Sequence, residues 1–474
     1  MLRRTKIVAT IGPASSSSDV LRQLIESGLN VARVTLAHGT LESQVALVAA
    51  IRREAEAVGR PVGILIDLPG PKVRTTAFAQ PATLARGDEV SLVAGTDEPS
   101  TATRIVVDYP TLAADLRVDD DVSIGDGVVH LTIRERNADS LVALVTHGST
   151  VVGRKGFKIP TERLRAKVPT AEDLALIEGL RASDVDVIAV SFVRSAEDVA
   201  AVRKTIGPEG PWLMAKIETA LAVDNLAAII DASDAIMVAR GDLGNELPME
   251  DVPHLQKRII RETVRKGKPV LVATQMLESM IDAPTPTRAE VTDVANAVFD
   301  QASAVMLSAE TAIGHDPVNV VRTMDRILRR AEQQLNLSQL QLFALENRDL
   351  TDVNVATAHA AWTAANDIGA HAILCCTRTG ATARKMSSFR PLIPLYGLSA
   401  DPRALRQLSL CWGVQPLFLP EAATSSSTEA VIAAAIAKAR SAGVVESGDQ
   451  VVVLAGSPQA GPGNTNAMQV ARVP

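Results

Sequence analysis

The chain has 474 residues, of which 47% are apolar and 22% are charged, and its formal net charge is -6. A chain of this length predicts two to four domains with more than one hydrophobic core. The acidic balance and the aromatic content of 3% exclude the basic, ring-rich surface that nucleic-acid binding requires.

The sequence carries no signal for a membrane or for secretion. Its first residues run directly into a strand-like stretch, without the apolar core and cleavage site of a signal peptide. It contains no run of about 18 apolar residues, so no membrane span is expected. Cys375, Cys376 and Cys411 suit buried free thiols better than a disulfide or metal framework. We therefore expect a cytoplasmic protein.

Eight short, apolar and β-branched runs alternate with helical stretches along most of the chain. They are Lys6–Thr10, Val31–Leu36, Gly63–Asp67, Asp186–Phe192, Leu213–Ile217, Ala235–Val238, Pro269–Ala273 and Ala304–Leu307. Most are separated by roughly 23 to 34 residues, about one βα unit each. Eight units predict an α/β fold built on a closed (β/α)8 TIM barrel, whose chemistry is expected at the C-terminal ends of the strands.

Residues 76–165 interrupt this pattern between the third and fourth runs. The segment lacks helical periodicity and shows short alternating stretches separated by turns. These are Val90–Val93, Arg104–Val107, Val122–Ile124, Val128–Ile133 and Leu141–Val145. We predict a small β-barrel domain, inserted in a βα loop, that acts as a lid over the barrel mouth. The barrel domain itself then comprises residues 1–75 and 166–340.

Residues 350–474 alternate helices and strands again, which predicts a C-terminal open α/β domain. Its predicted strands are Ala372–Cys376, Ile393–Leu398, Val414–Leu419 and Gln450–Ala455. The loop after the first of them combines hydroxyls, a glycine and a helix N-terminus, in Thr377, Arg378, Thr379, Gly380 and Thr382. Such a loop is able to hold an anionic effector, but an ordinary capped helix explains it equally well.

Charged side chains follow the fifth and sixth barrel runs. Lys216 and Glu218 are two residues apart, so they face the same side of a strand, and Asp242 arrives from the next one. Two carboxylates from adjacent strands suit Mg²⁺, or Mn²⁺, with positions left for water and substrate oxygens. The alternative is a structural charge network, although such networks are costly to bury inside a barrel.

Two arginines, Arg33 and Arg74, come from the ends of the second and third runs. Either one alone is explained by a surface salt bridge. Beside a divalent cation, however, an arginine pair provides the charge neutralisation that phosphoryl transfer requires. The glycines around Gly241 leave backbone N–H groups free to hold a carboxylate. Neither a P-loop nor a dinucleotide fingerprint occurs in the sequence.

Over essentially its whole length, the sequence closely resembles the pyruvate kinase family. The matching segments are Thr5–Ser15, Asn30–Thr40, Asp67–Thr75, Ala215–Glu218, Ile236–Gly244, Ala273–Met280 and Thr287–Phe299. The resemblance implies Mg²⁺-dependent phosphoryl transfer from phosphoenolpyruvate to ADP, giving pyruvate and ATP in the last step of glycolysis. It also implies a homotetramer whose third domain holds an allosteric site, here for a sugar phosphate or AMP.

The resemblance assigns roles to single residues as well. Lys216 would stabilise the phosphoryl group in transfer, and Arg33 would contact that group. Glu218 and Asp242 would bind the Mg²⁺ that also holds phosphoenolpyruvate. The backbone around Gly241 would bind the substrate carboxylate.

Further implied roles concern the carboxylate, the proton and the nucleotide. The hydroxyl of Thr274 would bind the substrate carboxylate and, through water, would provide a route for the proton that C3 of the enol gains. Arg74 and His38 would face the nucleotide phosphates. Lys155, at the end of the inserted domain, would reach the phosphates when the lid closes.

The sequence departs from the family pattern at a monovalent-cation site. Many members bind a required K⁺ through Asn, Ser, Asp and Thr side chains, but this chain has Thr35, Ala37, Asp67 and Leu68 there. Lys72 also replaces a Glu that is usual in those members. The tethered ammonium of Lys72 would supply the charge that K⁺ supplies elsewhere. We therefore predict activity without K⁺. Thr35 and Ala37 depart further from the family pattern, and if nucleotide positioning is weakened we expect it to be at these two residues.

Two other functions are compatible with the resemblance. One is a diverged member that uses another phosphoryl acceptor or has weak kinase activity. The other is a non-catalytic homologue that senses sugar phosphates or nucleotides. The complete set of Lys216, Glu218, Asp242 and Thr274 argues against a sensor, because a sensor does not need a metal–lysine pair.

Overall fold

The structure, a computed structural model, describes residues 2–71, 73–125, 127–336, 340, 343, 350–425, 427–456 and 465–474. Lys72 and most of the linker before the third region lie outside these residues. Within the described part of the chain, no helix is long and apolar enough to cross a membrane.

The chain begins with strands of the predicted barrel. These elements are β1 (Lys6–Thr10), α1 (Ser18–Glu26), β2 (Val31–Thr35), α2 (Leu41–Val58) and β3 (Gly63–Asp67). The residues of β1 and β3 are buried along the whole length of each strand. Both strands therefore lack the alternation of a half-exposed strand, as expected when helices cover one face and the barrel interior the other.

The chain then leaves the barrel and forms a region of antiparallel and mixed sheet. Its elements are β4 (Phe78–Leu84), β5 (Glu89–Ala94), β6 (Arg104–Val107), α3 (Leu112–Asp115), β7 (Asp121–Ile124), β8 (Val129–Arg136), β9 (Ser140–His147), β10 (Ser149–Gly153) and β11 (Phe157–Lys158). Six strands pair in the order β11-β7-β8-β9-β5-β6, and β10 pairs with β4. A separate hydrophobic core, which includes Leu92, Ile105 and Leu131, holds these sheets together.

The barrel resumes with five further strands and their helices. The elements are α4 (Ala171–Gly179), β12 (Val187–Val190), α5 (Ala196–Ile206), β13 (Trp212–Ile217), α6 (Ala220–Asp224), α7 (Leu226–Ala232), β14 (Ala235–Ala239), α8 (Arg240–Glu246), α9 (Val252–Arg265), β15 (Val270–Ala273), α10 (Arg288–Phe299), β16 (Ala304–Leu307), α11 (Ala309–Ala312) and α12 (Pro317–Glu332). The eight parallel strands close in the order β1-β2-β3-β12-β13-β14-β15-β16. The predicted (β/α)8 barrel is thereby confirmed.

The C-terminal region is an α/β domain with a five-stranded sheet. Its elements are α13 (Val353–Asp367), β17 (Ala372–Cys376), α14 (Ala381–Ser388), β18 (Leu395–Ser399), α15 (Pro402–Leu408), β19 (Val414–Phe418), α16 (Glu421–Thr424), α17 (Thr428–Ser441), β20 (Gln450–Ala455) and β21 (Ala467–Arg472). The strand order is β19-β18-β17-β20-β21, with β21 antiparallel to its neighbour. Cys375, Cys376 and Cys411 are buried free thiols, as predicted.

This domain packs against the amino-terminal ends of the barrel strands. The side chain of Gln407 donates to the Asp186 carbonyl (3.1 Å), just before β12, and Lys6 Nζ donates to the Val414 carbonyl (2.6 Å). A shared core joins residues such as Leu65 of the barrel and Leu408 of the third domain. The carboxyl ends of the strands are therefore left to face the inserted region.

Candidate active site

Lys216 lies among three polar side chains at the carboxyl end of the barrel. Its Nζ donates to Ser191 Oγ (2.8 Å) and lies 3.1 Å from Glu218 Oε2 and 3.6 Å from Asp67 Oδ1. Lys216 points toward these partners because it is the fifth residue of β13 and shares a face with Glu218. The predicted lysine–carboxylate pair is thus in contact, with Asp67 as a second carboxylate.

Arg33 is held on the opposite side of Asp67. Its Nε and Nη2 donate to Asp67 Oδ2 (2.9 and 2.6 Å), and its Nη1 donates to Thr10 Oγ1 (2.8 Å). These contacts follow from the barrel register, which places Arg33 of β2 between β1 and β3. Asp67 therefore bridges the guanidinium of Arg33 and the ammonium of Lys216.

Burial and charge act in opposite directions on these groups. Burial alone would raise the pKa of the Asp67 carboxyl, but Lys216 and Arg33 outweigh it and lower that pKa. Burial would likewise lower the pKa of Lys216, yet the carboxylates of Asp67, Glu218 and Asp242 hold it well above its ordinary value. These carboxylates therefore favour the charged form of Lys216 at neutral pH.

One oxygen of Glu218 accepts a hydrogen bond, and the other is ion-paired with Lys216. The backbone N–H of Phe192 donates to Oε1 (2.5 Å), from a residue with φ of 56°. Oε2 is buried and accepts no hydrogen bond, although Lys216 lies beside it. Burial raises the pKa of Glu218 in spite of that neighbour. A buried oxygen of this kind is a suitable ligand for a hard cation.

Thr274 fixes the start of α8 against the end of β15. The Gly241 N–H donates to Thr274 Oγ1 (2.9 Å), and that hydroxyl donates to the Ala273 carbonyl (2.6 Å). Thr274 has φ of 69°, which is a strained conformation for a β-branched residue. Arg240 adds hydrogen bonds to the Thr274 carbonyl (2.5 Å) and to Asp293 (2.7 Å). Gly241 and Thr274 are thus in direct contact, and the Gly241 N–H, which was predicted to be free for a carboxylate, is bonded to the Thr274 hydroxyl.

A cavity of about 530 Å³ separates the inserted region from the barrel mouth. It brings together five of the predicted residues, namely His38, Arg74, Lys155, Glu218 and Asp242. Arg33, Lys216 and Thr274 do not line it, but Lys216 contacts Glu218, which does. Within the described residues, no group of three or more His, Cys, Asp and Glu side chains is arranged to hold a metal.

The residues of the predicted K⁺-site replacement lie on neighbouring strand ends. Thr35 and Asp67 are register partners on β2 and β3, and Leu68 is buried. Thr35 Oγ1 accepts a long hydrogen bond (3.4 Å) from the Ala37 N–H. Lys72 lies outside the described residues, so the position of its ammonium stays a prediction.

Two residues that shape this site, Ser191 and Lys158, were not among the predicted site residues. Ser191 follows β12 and links Lys216 to the Leu68 carbonyl, to which it donates at 2.7 Å. Lys158 belongs to β11 and reaches α8, where it donates to the Asp242 carbonyl (3.2 Å). Ser191 could have been predicted, because it follows a barrel strand directly. The contact of Lys158 with Asp242 could not, because the two residues are 84 positions apart in the sequence.

The predicted effector loop is only partly open to a ligand. Thr377 is buried, and the hydroxyls of Thr382 and Thr465 are 2.6 Å apart in a hydrogen bond. Gly380 precedes α14 with φ of 83°, and no side chain caps that helix. Thr379 lines a second cavity, of about 1240 Å³, between the third domain and the barrel. The Arg378 carbonyl accepts a long hydrogen bond from Ser399 Oγ (3.4 Å).

Taken together, the fold and this site define a (β/α)8-barrel enzyme with a lysine among carboxylates at the carboxyl ends of its strands. The family described as pyruvate kinase, barrel domain, matches residues 2–321, and the family described as pyruvate kinase, alpha/beta domain, matches residues 355–471. The chain belongs to the pyruvate kinase family, and it is a phosphotransferase.

Individual relatives support the same conclusion. The pyruvate kinase of Clostridium acetobutylicum is 36% identical, with 99% of both chains covered. That of Mycobacterium tuberculosis is 38% identical, covering 100% of this chain and 99% of the relative. A crystal structure of a pyruvate kinase from Cryptosporidium parvum superposes with a TM-score of 0.92 at 34% identity, covering 100% of this chain and 96% of the other.

Proposed function

We propose that the enzyme transfers a phosphoryl group from phosphoenolpyruvate to ADP, with Mg²⁺ bound and without a requirement for K⁺. The observation that carries this proposal is the position of Lys216 between Asp67 and Glu218, with a buried oxygen of Glu218 left without a hydrogen bond. A cation beside a carboxylate oxygen that accepts no hydrogen bond is suited to hold negative charge on a group in transfer.

Glu218 and Asp242 are the residues that would hold the Mg²⁺, or Mn²⁺ in its place. Both line the cavity under the inserted domain, where waters and substrate oxygens are able to complete the coordination. When bound, the cation would neutralise charge on the transferring phosphoryl group. Glu218 Oε2, which accepts no hydrogen bond and has Lys216 as its ion-pair partner, fits this assignment.

The remaining residues bind substrates and move the proton. Arg33, held by Asp67, would contact the phosphoryl group. The backbone around Gly241 would hold the substrate carboxylate through N–H groups other than that of Gly241 itself, which donates to Thr274 Oγ1. After transfer the enol gains a proton at C3, and the Thr274 hydroxyl would relay it through water. This division leaves Lys216 as an electrostatic stabiliser, which agrees with its raised pKa.

The nucleotide would bind under the inserted domain. His38, Arg74 and Lys155 line the same cavity from the barrel side and from the inserted region. Arg74 also pairs with Gly156 in an antiparallel bridge, at the junction through which the inserted domain is attached. A movement at that junction would change the distance between Lys155 and the phosphates.

Independence from K⁺ is supported by the charges around Asp67. Asp67 is the single side chain retained from the family's K⁺ ligands, and it is already neutralised by Arg33 and Lys216. Leu68 offers no side-chain oxygen, and the hydroxyl of Thr35 accepts from its own loop. These residues leave little to attract a monovalent cation.

The wider assignments follow the family and are proposed with it. We propose a cytoplasmic homotetramer with an effector site near Thr379, where Arg384 and Arg403 line the second cavity. A thermal-shift screen of fructose bisphosphate, hexose monophosphates and AMP tests the effector site, because a ligand of the folded state raises the melting temperature.

Pyruvate formation tests the central proposal. Phosphoenolpyruvate, ADP and Mg²⁺ should give pyruvate with the wild-type chain, whereas Lys216→Met should abolish turnover and retain Mn²⁺ binding. Lys266→Met is the matched control for turnover, because the Lys266 side chain is 52% exposed and lines neither cavity. Lys204, which is exposed on α5 but lines the second cavity, serves as a control only for metal binding and stability. Turnover by Lys216→Met at the wild-type rate would refute the role of Lys216. If the wild-type chain forms no pyruvate, the result would favour an enzyme with another phosphoryl acceptor or a non-catalytic sensor.

A further inference from the structure

Lys158 makes a polar contact between the inserted domain and α8. Its Nζ donates to the Asp242 carbonyl (3.2 Å) and lies 3.8 Å from Glu246 Oε1. The Lys158 side chain is 27% exposed and that of Glu246 is 7% exposed, so this contact is largely shielded from water. The Asp242 main-chain carbonyl and the Glu246 side chain are four residues apart, about one turn of α8, so a single ammonium reaches both.

The direction of Lys158 is set by the inserted domain itself. Phe157 and Lys158 form β11 and pair with Ile124 and Ser123 of β7. Phe157 is buried in the core of the inserted domain, so the next side chain points to the opposite face of the strand. Lys158 therefore emerges toward the barrel and not toward solvent.

The helix that Lys158 contacts is firmly attached to the barrel. Its first residues are held by the bond from Gly241 to Thr274 and by Arg240, which binds Asp293. A contact to this helix consequently fixes the inserted domain relative to the site, instead of joining two mobile segments.

The same ammonium lines the cavity that holds the carboxylates proposed to bind the divalent cation. Lys158, Glu218 and Asp242 line one cavity, so the ammonium and both carboxylates face the same space. A tethered ammonium and a divalent cation are attracted to the same negative charges and repel each other. Occupation of the site by one therefore disfavours the other.

We infer that Lys158 is a positioning residue that latches the inserted domain onto α8, and that its charge weakens divalent-cation binding by the Glu218–Asp242 pair. This inference rests on the proposed function, which assigns the cation to those carboxylates. Binding of the cation would loosen the latch and release the inserted domain to readjust over its ligands.

Binding of Mn²⁺ to the full-length, substrate-free protein tests the inference, with the free ion measured by electron paramagnetic resonance. Lys158→Met should tighten binding about three- to tenfold, the effect of one nearby charge at an intermediate dielectric. Lys158→Gln, which keeps a donor but no charge, should do the same, even if the methionine variant fails to fold. Lys158→Arg should bind Mn²⁺ like the wild type, as should the matched control Lys204→Met.

Hydrogen exchange provides the readout for the latch. Amides of α8, which Lys158 contacts, should exchange faster in Lys158→Met than in the wild type without metal, and Mn²⁺ should accelerate their exchange in the wild type alone. Unchanged Mn²⁺ affinity in both neutral variants, or equal tightening in Lys204→Met, would overturn the inference and leave the proposed function intact. If Glu218→Gln binds Mn²⁺ as well as the wild type does, the proposed metal site itself is wrong.

Discussion

Arg33 donates two hydrogen bonds to a single oxygen of Asp67, and Lys216 lies 3.6 Å from the other oxygen. One carboxylate thus sets the positions of both cations proposed to contact the phosphoryl group. The arrangement is largely buried, with the Arg33 and Asp67 side chains 16% and 4% exposed. The stability of a buried ion pair depends on both partners, because removing one of them leaves the other as a buried charge whose desolvation cost is no longer offset.

Replacing Asp67 by Asn should therefore destabilise the fold as well as impair catalysis. The substitution leaves Arg33 and Lys216 as buried cations that have lost a shared counter-ion. We expect the free energy of unfolding, measured by urea denaturation, to fall by about 3 kcal/mol. Asp119→Asn is the control, since the Asp119 side chain is 79% exposed and should change stability by less than about 0.5 kcal/mol. Equal stability of the two variants would contradict the structural importance of Asp67.

Turnover should not depend on K⁺. The charges of Arg33 and Lys216 already neutralise Asp67, so added K⁺ has no strong ligand to occupy. Initial rates with phosphoenolpyruvate, ADP and Mg²⁺ should agree within about twofold in KCl and in tetramethylammonium chloride at equal ionic strength. Negligible turnover that KCl restores would show that a K⁺ site persists. Lys72 would then not take the place of K⁺, and the Lys72→Glu variant should show the same K⁺ dependence as the wild type.

Much of the fold could be predicted because its barrel strands are buried on both faces. The ends of Lys6–Thr10, Gly63–Asp67 and Ala304–Leu307 agree with the structure to the residue. Four strands were not predicted from the sequence, and all four lie at sheet edges: Phe78–Leu84, Ser149–Gly153, Phe157–Lys158 and Ala467–Arg472. Their pairing is decided by neighbours distant in sequence, and no local apolar pattern reports it.

The part of the site that could be predicted is the part in which strand periodicity alone sets the direction of the side chains. Lys216 and Glu218 face the same way because of strand periodicity alone. The predicted strand Asp186–Phe192 ends earlier, at Val190, because Phe192 adopts φ of 56° and turns its N–H toward Glu218. That change of backbone direction, like the contact of Lys158 with α8, depends on tertiary structure.

The Thr274 hydroxyl should be required for turnover but not for folding. Thr274→Val keeps the shape of the side chain and removes the group that accepts from Gly241 and is proposed to relay a proton. We expect kcat to fall on the order of 10²-fold, the usual contribution of a positioned proton-transfer group. Thr274→Ser should restore most of the rate in the same assay. A valine variant with normal kcat would exclude the hydroxyl from the proton route.

Lys6 should make the stability of the enzyme depend on pH. Burial, reinforced by repulsion from Arg3, lowers the pKa of Lys6 to about 7, although Cys411 and Glu332 act in the opposite direction. The unfolded chain carries this lysine with its ordinary pKa, 10.5. Between these two values the unfolded state binds one more proton, so the contribution of Lys6 to the free energy of unfolding increases as the pH rises.

Lys6→Met removes that dependence and isolates it from other titrating groups. From pH 7.5 to 9.5 the wild type should gain stability relative to the variant by about 1.4 kcal/mol per pH unit at most. The loss of the bond from Lys6 to the Val414 carbonyl adds a cost to the variant that does not vary with pH. Urea denaturation at several pH values measures the difference, with Lys204→Met as the exposed lysine control. Parallel stability curves for the wild type and Lys6→Met would mean that Lys6 is protonated in the folded protein throughout this range.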